Sequence, residues 1–258
     1  MKQGLMIPDR NRLEESLKVA SEYGAGFEYN DFFVPDILDD EKKRQDVMTA
    51  YKHRRLPEYC TLHGAFYDVI PFSADVRIRE VATLRIGQSM EAAGEMDAKA
   101  VVFHTSYNPA LNSETYVERW IETNVRFWSE VLDRYPETYI YLENTFEASP
   151  VLFEKLSERL GKYENYGICL DYAHACLSKT APDEWAKRLS PFIKHIHIND
   201  NDGISDLHLA WGDGILNRET FYRCYETYLQ GSTILVETGK LEDTIRSLGK
   251  LKEEGFLE

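Results

Sequence analysis

Imidazole and carboxylate side chains are concentrated in the stretch KHIHINDNDGISDLHLAWGDG, from Lys194 to Gly214. It contains three histidines and four aspartates, and its glycines allow the chain to fold back tightly. Asp206 and His208 are two residues apart, so an extended segment would point both side chains the same way. Imidazole nitrogens and carboxylate oxygens bind divalent metals. The stretch therefore predicts a metal site that includes His197, Asp206 and His208.

The same residue types end other short apolar runs of the chain. Just past one run, the segment LDYAHA places Asp171 and His174 three residues apart, on a bend from which both side chains can turn into one site. Buried carboxylates gathered in one place would repel one another and keep their protons unless a cation neutralised them. The residues at the ends of these runs, which predict a multi-metal site, are Glu28, His63, His104, Glu143, Asp171, His197 and Glu237.

Eight apolar, β-rich runs alternate with longer charged stretches of helical spacing. This alternation predicts an α/β protein with a single (β/α)8 barrel, in which the carboxyl ends of the strands carry the chemistry. An open doubly wound sheet is the alternative, but it would require a glycine-rich loop after the first run, where the chain reads IPDRNR. The runs cover residues 4–7, 26–29, 60–63, 100–104, 139–143, 166–171, 193–198 and 233–237.

One of the charged stretches, residues 77–96, has apolar residues at helical spacing. The residues predicted to share its buried face are Ile78, Val81, Ile86, Met90 and Ala93.

Bulk composition limits the remaining possibilities. The 258 residues suit one barrel domain over 1–258, and 43% hydrophobic residues can form a large core. A formal net charge of −14 argues against a protein that coats nucleic acid electrostatically. No apolar window is long enough for a membrane span and the first residues do not form a secretory signal, so the expected location is the cytoplasm. The four cysteines are scattered, as expected for free thiols.

Seven segments resemble those of the xylose-isomerase-like barrels, and within that superfamily those of endonuclease IV (AP endonuclease family 2). They are LHGAFYD, VVFHTSY, YLENT, ICLDYAHA, HIHINDND, DLHLAWGDG and LVET. The resemblance implies three zinc ions, with manganese as an alternative metal. It assigns the ligands to three sets, of which the first two share Glu143 as a bridge: His63, His104 and Glu143; Glu143, Asp171, His197 and Glu237; and His174, Asp206 and His208.

Two activities follow from this resemblance. The first is that of a metal-dependent phosphoesterase, a hydrolase in which paired metals share a hydroxide and clamp the oxygens at phosphorus. The alternative is a sugar or sugar-phosphate isomerase or epimerase, which needs only the second set and uses Glu143 and Glu237 to move a proton. The predicted catalytic residues are Glu143, Glu237 and His174. A barrel that binds a ligand without catalysis is the third possibility.

The predicted substrate is a small sugar or a phosphorylated sugar. DNA is the weaker candidate, because the loop over 30–40 has four aspartates and neither lysine nor arginine, which would repel a phosphate backbone. His195 is expected to point away from the site. The residues expected to contact substrate, each of which could equally serve packing or capping, are Glu28, Phe66, Tyr67 and Trp211.

Overall fold

Eight parallel strands close into a barrel in a computed structural model that describes residues 2–257. Each strand pairs with the next along the chain, and the last pairs with the first. The predicted (β/α)8 barrel is therefore confirmed. The strands are β1 (Gly4–Met6), β2 (Gly26–Tyr29), β3 (Cys60–His63), β4 (Ala100–His104), β5 (Tyr139–Glu143), β6 (Tyr166–Asp171), β7 (Ile193–Ile198) and β8 (Thr233–Val236).

Helices follow every strand and form the outer layer. Several begin at a side chain that accepts a hydrogen bond from the first turn, as Asp75 does from the amide of Arg77 at 2.8 Å. The helices are α1 (Leu13–Tyr23), α2 (Pro35–Leu38), α3 (Glu41–Lys52), α4 (Val76–Glu95), α5 (Glu114–Arg134), α6 (Val151–Leu160), α7 (Tyr172–Leu177), α8 (Pro182–Leu189), α9 (Arg218–Cys224) and α10 (Leu241–Glu253). Among the described residues, no helix is long and apolar enough to cross a membrane.

The register of the strands brings their chemically active ends side by side. His104 of β4 pairs with Glu143 of β5, and Asp171 of β6 pairs with His197 of β7. Glu237 follows directly after β8. Because parallel strands end at the same rim of the barrel, these side chains lie around one opening.

The predicted buried face of α4 is wrong at its first turns. Ile86, Met90 and Ala93 are buried, but Ile78 is 41% exposed and Val81 49% exposed. Successive residues turn by about 100° in a helix, so Val81 lies about 140° around the axis from Ile86. Val81 therefore belongs to a different face of the helix, whereas Ile78 lies in its first turn.

Candidate metal centre

Glu143 lies at the centre of a group of buried side chains at the rim of the barrel. Its Oε2 atom is 3.3 Å from Nε2 of His104 and 3.5 Å from Nε2 of His63. Its Oε1 atom is 3.3 Å from Nδ1 of His197 and 3.9 Å from Nδ1 of His174. Four imidazoles thus surround one carboxylate that is 1% exposed.

Four of the predicted ligands form a compact set: Glu143, Asp171, His197 and Glu237 each offer an atom, and these atoms lie within 4.8 Å of one another. Within the described part of the chain, Oε2 of Glu143, Oδ2 of Asp171, Nδ1 of His197 and Oε2 of Glu237 are buried without a hydrogen-bond partner. A buried polar atom without a partner is costly. One unpartnered atom from each of four residues is the arrangement that a divalent cation would satisfy, so the donor set fits a metal.

The turn from β6 into α7 positions two of the predicted ligands, Asp171 and His174. Oδ1 of Asp171 caps the helix by accepting from the amide of His174 at 2.6 Å, which leaves Oδ2 directed into the site. Asn144 holds this turn from the neighbouring strand end, since its amide group exchanges hydrogen bonds of 2.9 and 3.0 Å with the backbone of Asp171. The backbone oxygen of Asn144 also contacts Nδ1 of His174 at 2.9 Å.

Two further sets flank the first one. His63 and His104 face Glu143 on one side. On the other side, Oδ2 of Asp206 lies 3.1 Å from Nε2 of His174 and 2.9 Å from Nε2 of His208. All nine predicted ligands are thus brought to one rim, in the three groups that the resemblance implied.

The loop between β7 and α9 is organised by Asp200, which is fully buried. Its carboxylate accepts from the amides of Asn201, Gly212 and Leu216 at 2.9 to 3.0 Å, and its backbone bridges to Leu209. Asp202 accepts two amides within its own turn, and Asp213 pairs with Arg246 on α10. Of the four aspartates in this stretch, only Asp206 lines the pocket.

The backbone at the rim is strained in three places. Asp68, Ser106 and His208 have positive φ angles of 54°, 54° and 48°, and all three line the pocket. Residues with a Cβ rarely adopt this left-handed conformation, which costs about 1–3 kcal/mol where the surroundings enforce it. The loop therefore holds His208 in a conformation that local preference would not select.

The pKa values of the three carboxylates in the central set are shifted in different directions. Burial alone would raise the pKa of Glu143, but His197 and His104 hold that pKa well below its ordinary range. The pKa of Glu237 is also lowered against burial, by His197 and His208. Burial dominates at Asp171 and raises its pKa to about 7. In the chain without metal, Glu143 and Glu237 are therefore ionised near neutrality, whereas Asp171 is partly protonated.

The histidines balance this negative charge with protons. Burial lowers the pKa of each imidazole, but neighbouring carboxylates more than offset it and raise the pKa of His63, His174 and His197. The pKa of His208 rises to about 9, largely through Asp206. Burial prevails at His104, whose pKa is lowered. A bound cation would replace these protons as the compensating positive charge.

The rim opens into a pocket of about 690 Å³. Phe33, Phe66, Tyr67 and Phe146 form an aromatic wall, with the ring of Phe66 4.7 Å from that of His104 and 4.9 Å from that of Phe33. Among the described residues, neither lysine nor arginine lines this pocket. Aromatic faces beside polar groups suit a ligand with both apolar and hydroxyl-bearing surfaces.

The four predicted substrate contacts divide into two pairs. Phe66 and Tyr67 lie on the pocket wall, as expected. Trp211 does not, because it is 2% exposed, packs against Phe221 at 5.3 Å and donates its Nε1 hydrogen to Tyr222. Glu28 is 1% exposed and lies beneath His197, so it is not on the wall either.

The predicted orientation of His195 is wrong. Residues two apart in a strand share a face, so His195 points into the barrel as His197 does, one layer below the rim. Its ring centre is 4.9 Å from that of His197, and it is fully buried. The sequence HIH already indicates this arrangement, because its two histidines are two residues apart and therefore lie on the same face of the strand.

Sequence reasoning also missed parts of the site that carry no metal-ligand chemistry. Phe33 and Phe146 contribute to the wall, and Asn144 supports Asp171 from beside the catalytic candidate Glu143. The motif LENT marks the position of Asn144 next to a strand end, but its role depends on a contact across two strands that spacing alone does not reveal.

The closed barrel and its rim of carboxylates and imidazoles define the class: a (β/α)8 barrel whose site is built at the carboxyl ends of its strands. The chain belongs to the xylose isomerase-like TIM barrel family, whose model matches residues 17–253.

Known proteins agree with this membership. The chain is 32% identical over 204 residues to an uncharacterised protein of Methanocaldococcus jannaschii, MJ1311, covering 74% of this chain and 68% of that protein. The structure of a D-tagatose 3-epimerase-like protein superposes with a TM-score of 0.79 at 24% identity, covering 99% and 98% of the two chains. The TTHB071 protein of Thermus thermophilus, soaked with ZnCl2, gives a TM-score of 0.75 at 25% identity, covering 98% and 97%. Sugar epimerases and isomerases predominate among the structural neighbours.

Proposed function

We propose that this chain is a metal-dependent isomerase or epimerase of a small sugar. The observation that carries the proposal is the placement of two ionised glutamates around one imidazole at the pocket floor. Oε1 of Glu143 and Oε2 of Glu237 lie 3.3 and 3.4 Å from Nδ1 of His197, and both glutamates line the pocket. The fold's neighbours among sugar epimerases support the same reading.

Isomerisation and epimerisation both move a proton at a carbon next to a carbonyl group. A divalent metal held by Glu143, Asp171, His197 and Glu237 would supply Lewis-acid polarisation of the sugar's oxygens. The lowered pKa values of Glu143 and Glu237 keep both carboxylates ionised, so that one can take the proton and the other can return it. The aromatic wall of Phe33, Phe66 and Tyr67 would hold the apolar face of the sugar and exclude water.

A phosphoesterase is the second candidate, and the two flanking sets favour it. A sugar isomerase requires only the central set, whereas His63, His104, His174, Asp206 and His208 provide ligands for two more cations. Closely spaced metals can activate a hydroxide for attack on phosphorus. The structural neighbours, which are mostly sugar isomerases and epimerases, support the first candidate over this one.

Metal content is the first test of the number of sites. We expect the purified protein, dialysed against Zn²⁺ or Mn²⁺, to bind about three ions per chain, because each of the three donor groups can coordinate one. His63→Ala and His208→Ala should each lower the content by about one ion, measured by plasma mass spectrometry. His53→Ala is the matched control, since His53 is exposed at the end of α3. A content near one ion per chain that neither His63→Ala nor His208→Ala changes would show that the central set alone binds metal.

Hydrogen exchange with solvent tests the reaction itself. In D₂O, the metal-loaded protein should introduce one deuterium at the carbon next to the carbonyl of a ketose, because a carboxylate that removes this proton exchanges it with solvent. The signal is read by proton NMR over a panel of ketohexoses, ketopentoses and their phosphates, with chelated protein as the control. Absence of exchange across the panel, combined with cleavage of an abasic-site oligonucleotide or a phosphate ester, would establish the second candidate instead.

A further inference from the structure

A buried carboxylate lies directly behind the central set, on the side away from the pocket. Oε1 of Glu28, one residue before the end of β2, is 3.2 Å from Nε2 of His197. Neither atom has another hydrogen-bond partner within residues 2–257, and both side chains are almost completely buried.

The two nitrogens of His197 therefore face different surroundings. Nδ1 is directed to Glu143 and Glu237, at 3.3 and 3.4 Å, on the side of the pocket. Nε2 is directed to Glu28, inside the barrel. A neutral imidazole carries one proton, and the carboxylate of Glu28 is an acceptor only. With a cation on the pocket side, held there by Glu143 and Glu237 as well, Glu28 would be the carboxylate left to accept the proton of a neutral His197, so that Nε2 would keep the proton and Nδ1 would offer its lone pair to the metal.

Glu28 is itself held by a second layer of polar side chains. Its Oε2 atom accepts a hydrogen bond from Oγ1 of Thr61 at 2.7 Å and lies 3.1 Å from Nε2 of His195. Nδ1 of His195 in turn contacts Oγ1 of Thr233 at 2.6 Å. Thr61, His195 and Thr233 are all buried, so the side chain of Glu28 has little freedom to rotate away from His197.

We propose that Glu28 is a positioning residue, which fixes the tautomer and ring orientation of His197 so that Nδ1 is presented to a divalent metal. The inference rests on the proposed metal centre and goes beyond it, because it assigns a role to a residue that contacts neither metal nor substrate. A carboxylate behind a metal-bound histidine raises the basicity of the ligand and limits its motion, and loss of such a partner typically lowers metal affinity 10- to 100-fold.

A further metal ion in the barrel interior is the competing explanation. Cys169, His195 and His197 offer atoms within 4.8 Å of one another. Both nitrogens of His195 are already engaged, by Thr233 and Glu28, so His195 has no free lone pair for such an ion. The interior layer is therefore better described as support for His197.

Metal affinity tests the proposal in the folded protein. For Glu28→Gln, which keeps the shape of the side chain and removes its charge, we expect a 10- to 100-fold weaker affinity for Zn²⁺ at the central site, measured by competition with a chromophoric chelator. Ser157→Ala is the matched control: it removes a buried hydroxyl that contacts Tyr166 at 3.0 Å, far from the rim, and should leave the affinity unchanged. An affinity for Glu28→Gln within twofold of wild type would overturn the proposal.

A measurement on the unaltered chain covers the case in which the variant does not fold. In protein labelled with nitrogen-15 at histidine and loaded with cadmium-113, we expect metal coupling at Nδ1 of His197 and a proton on Nε2. Coupling at Nε2 of His197, or metal coupling at His195, would refute the assignment. Wild-type protein that binds no metal at all would instead refute the proposed metal centre, so the two failures are distinguishable.

Discussion

Replacing Glu143 with glutamine is expected to remove most of the bound metal and to lower turnover by about 10²- to 10⁴-fold, the range for loss of a positioned acid–base group. Glu143 belongs to two of the three donor groups and contacts four imidazoles. Glutamine has the same shape, but it replaces a charged oxygen with an amide donor. Cationic His197 and its neighbours would then lose the charge that offsets their burial.

Metal content and deuterium exchange, measured on the same preparation, check this expectation. Glu147→Gln is the matched control. Glu147 is a buried carboxylate of the same loop, but it accepts hydrogen bonds from Thr105 and from the amide of Thr145 and belongs to none of the donor groups. If both variants retain the wild-type content of metal, Glu143 is not a ligand.

Metal affinity is expected to rise steeply with pH between 7 and 9. His208, with a pKa of about 9, must lose a proton before its nitrogen can coordinate a cation. Release of one such proton on metal binding makes the affinity rise about tenfold per pH unit, or of the order of 100-fold from pH 7 to 9. Titrations at pH 7, 8 and 9 would measure it. In His208→Ala, the remaining sites should show a weaker dependence, and an equally steep slope would assign the proton to another group.

The stability of the metal-free chain should change in the opposite direction. The pKa of His208 is raised above its ordinary value, so its contribution to stability is complete below about pH 6.5 and is lost as the pH rises through 9. Asp171, with its pKa raised to about 7, adds a cost that builds up as the pH rises from the ordinary pKa of aspartate to about 7 and stays constant above it, so the change from pH 7 to 9 reports His208. The difference in Tm between metal-loaded and chelated protein should therefore widen from pH 6.5 to 9. A constant difference from pH 6.5 to 9 would contradict the assignment to His208.

The barrel and its rim were predictable because each depends on a local pattern. Parallel strands buried on both faces appear as short apolar runs, and the observed strands match the predicted runs to within one residue at their ends, as at β8, which stops at Val236. A closed parallel barrel places every strand end at one rim. The convergence of the strand ends at His63, His104 and Glu143 can therefore be predicted without any knowledge of tertiary contacts.

The errors arose where a side chain's surroundings depend on the layer of the barrel or on neighbouring elements. Glu28 and Trp211 sit next to predicted site residues in the sequence, yet they lie below the rim and behind the loop, respectively. For His195, the two-residue period of a strand is sufficient: it places this side chain on the same face as that of His197, not on the opposite one. Val81 shows that an apolar residue in a helix is not evidence of burial unless its angle around the axis agrees.

The loop organised by Asp200 has a consequence for how such barrels diversify. The central donors come from four separate strand ends, whereas Asp206 and His208 both come from this one segment. The carboxylate of Asp200 ties the segment together by accepting hydrogen bonds from the segment's own amides. Exchange of a single insertion between β7 and α9 would therefore add or delete two donors at once. Descendants of one ancestral scaffold can in this way differ in how many cations they carry while their inner strands stay unchanged.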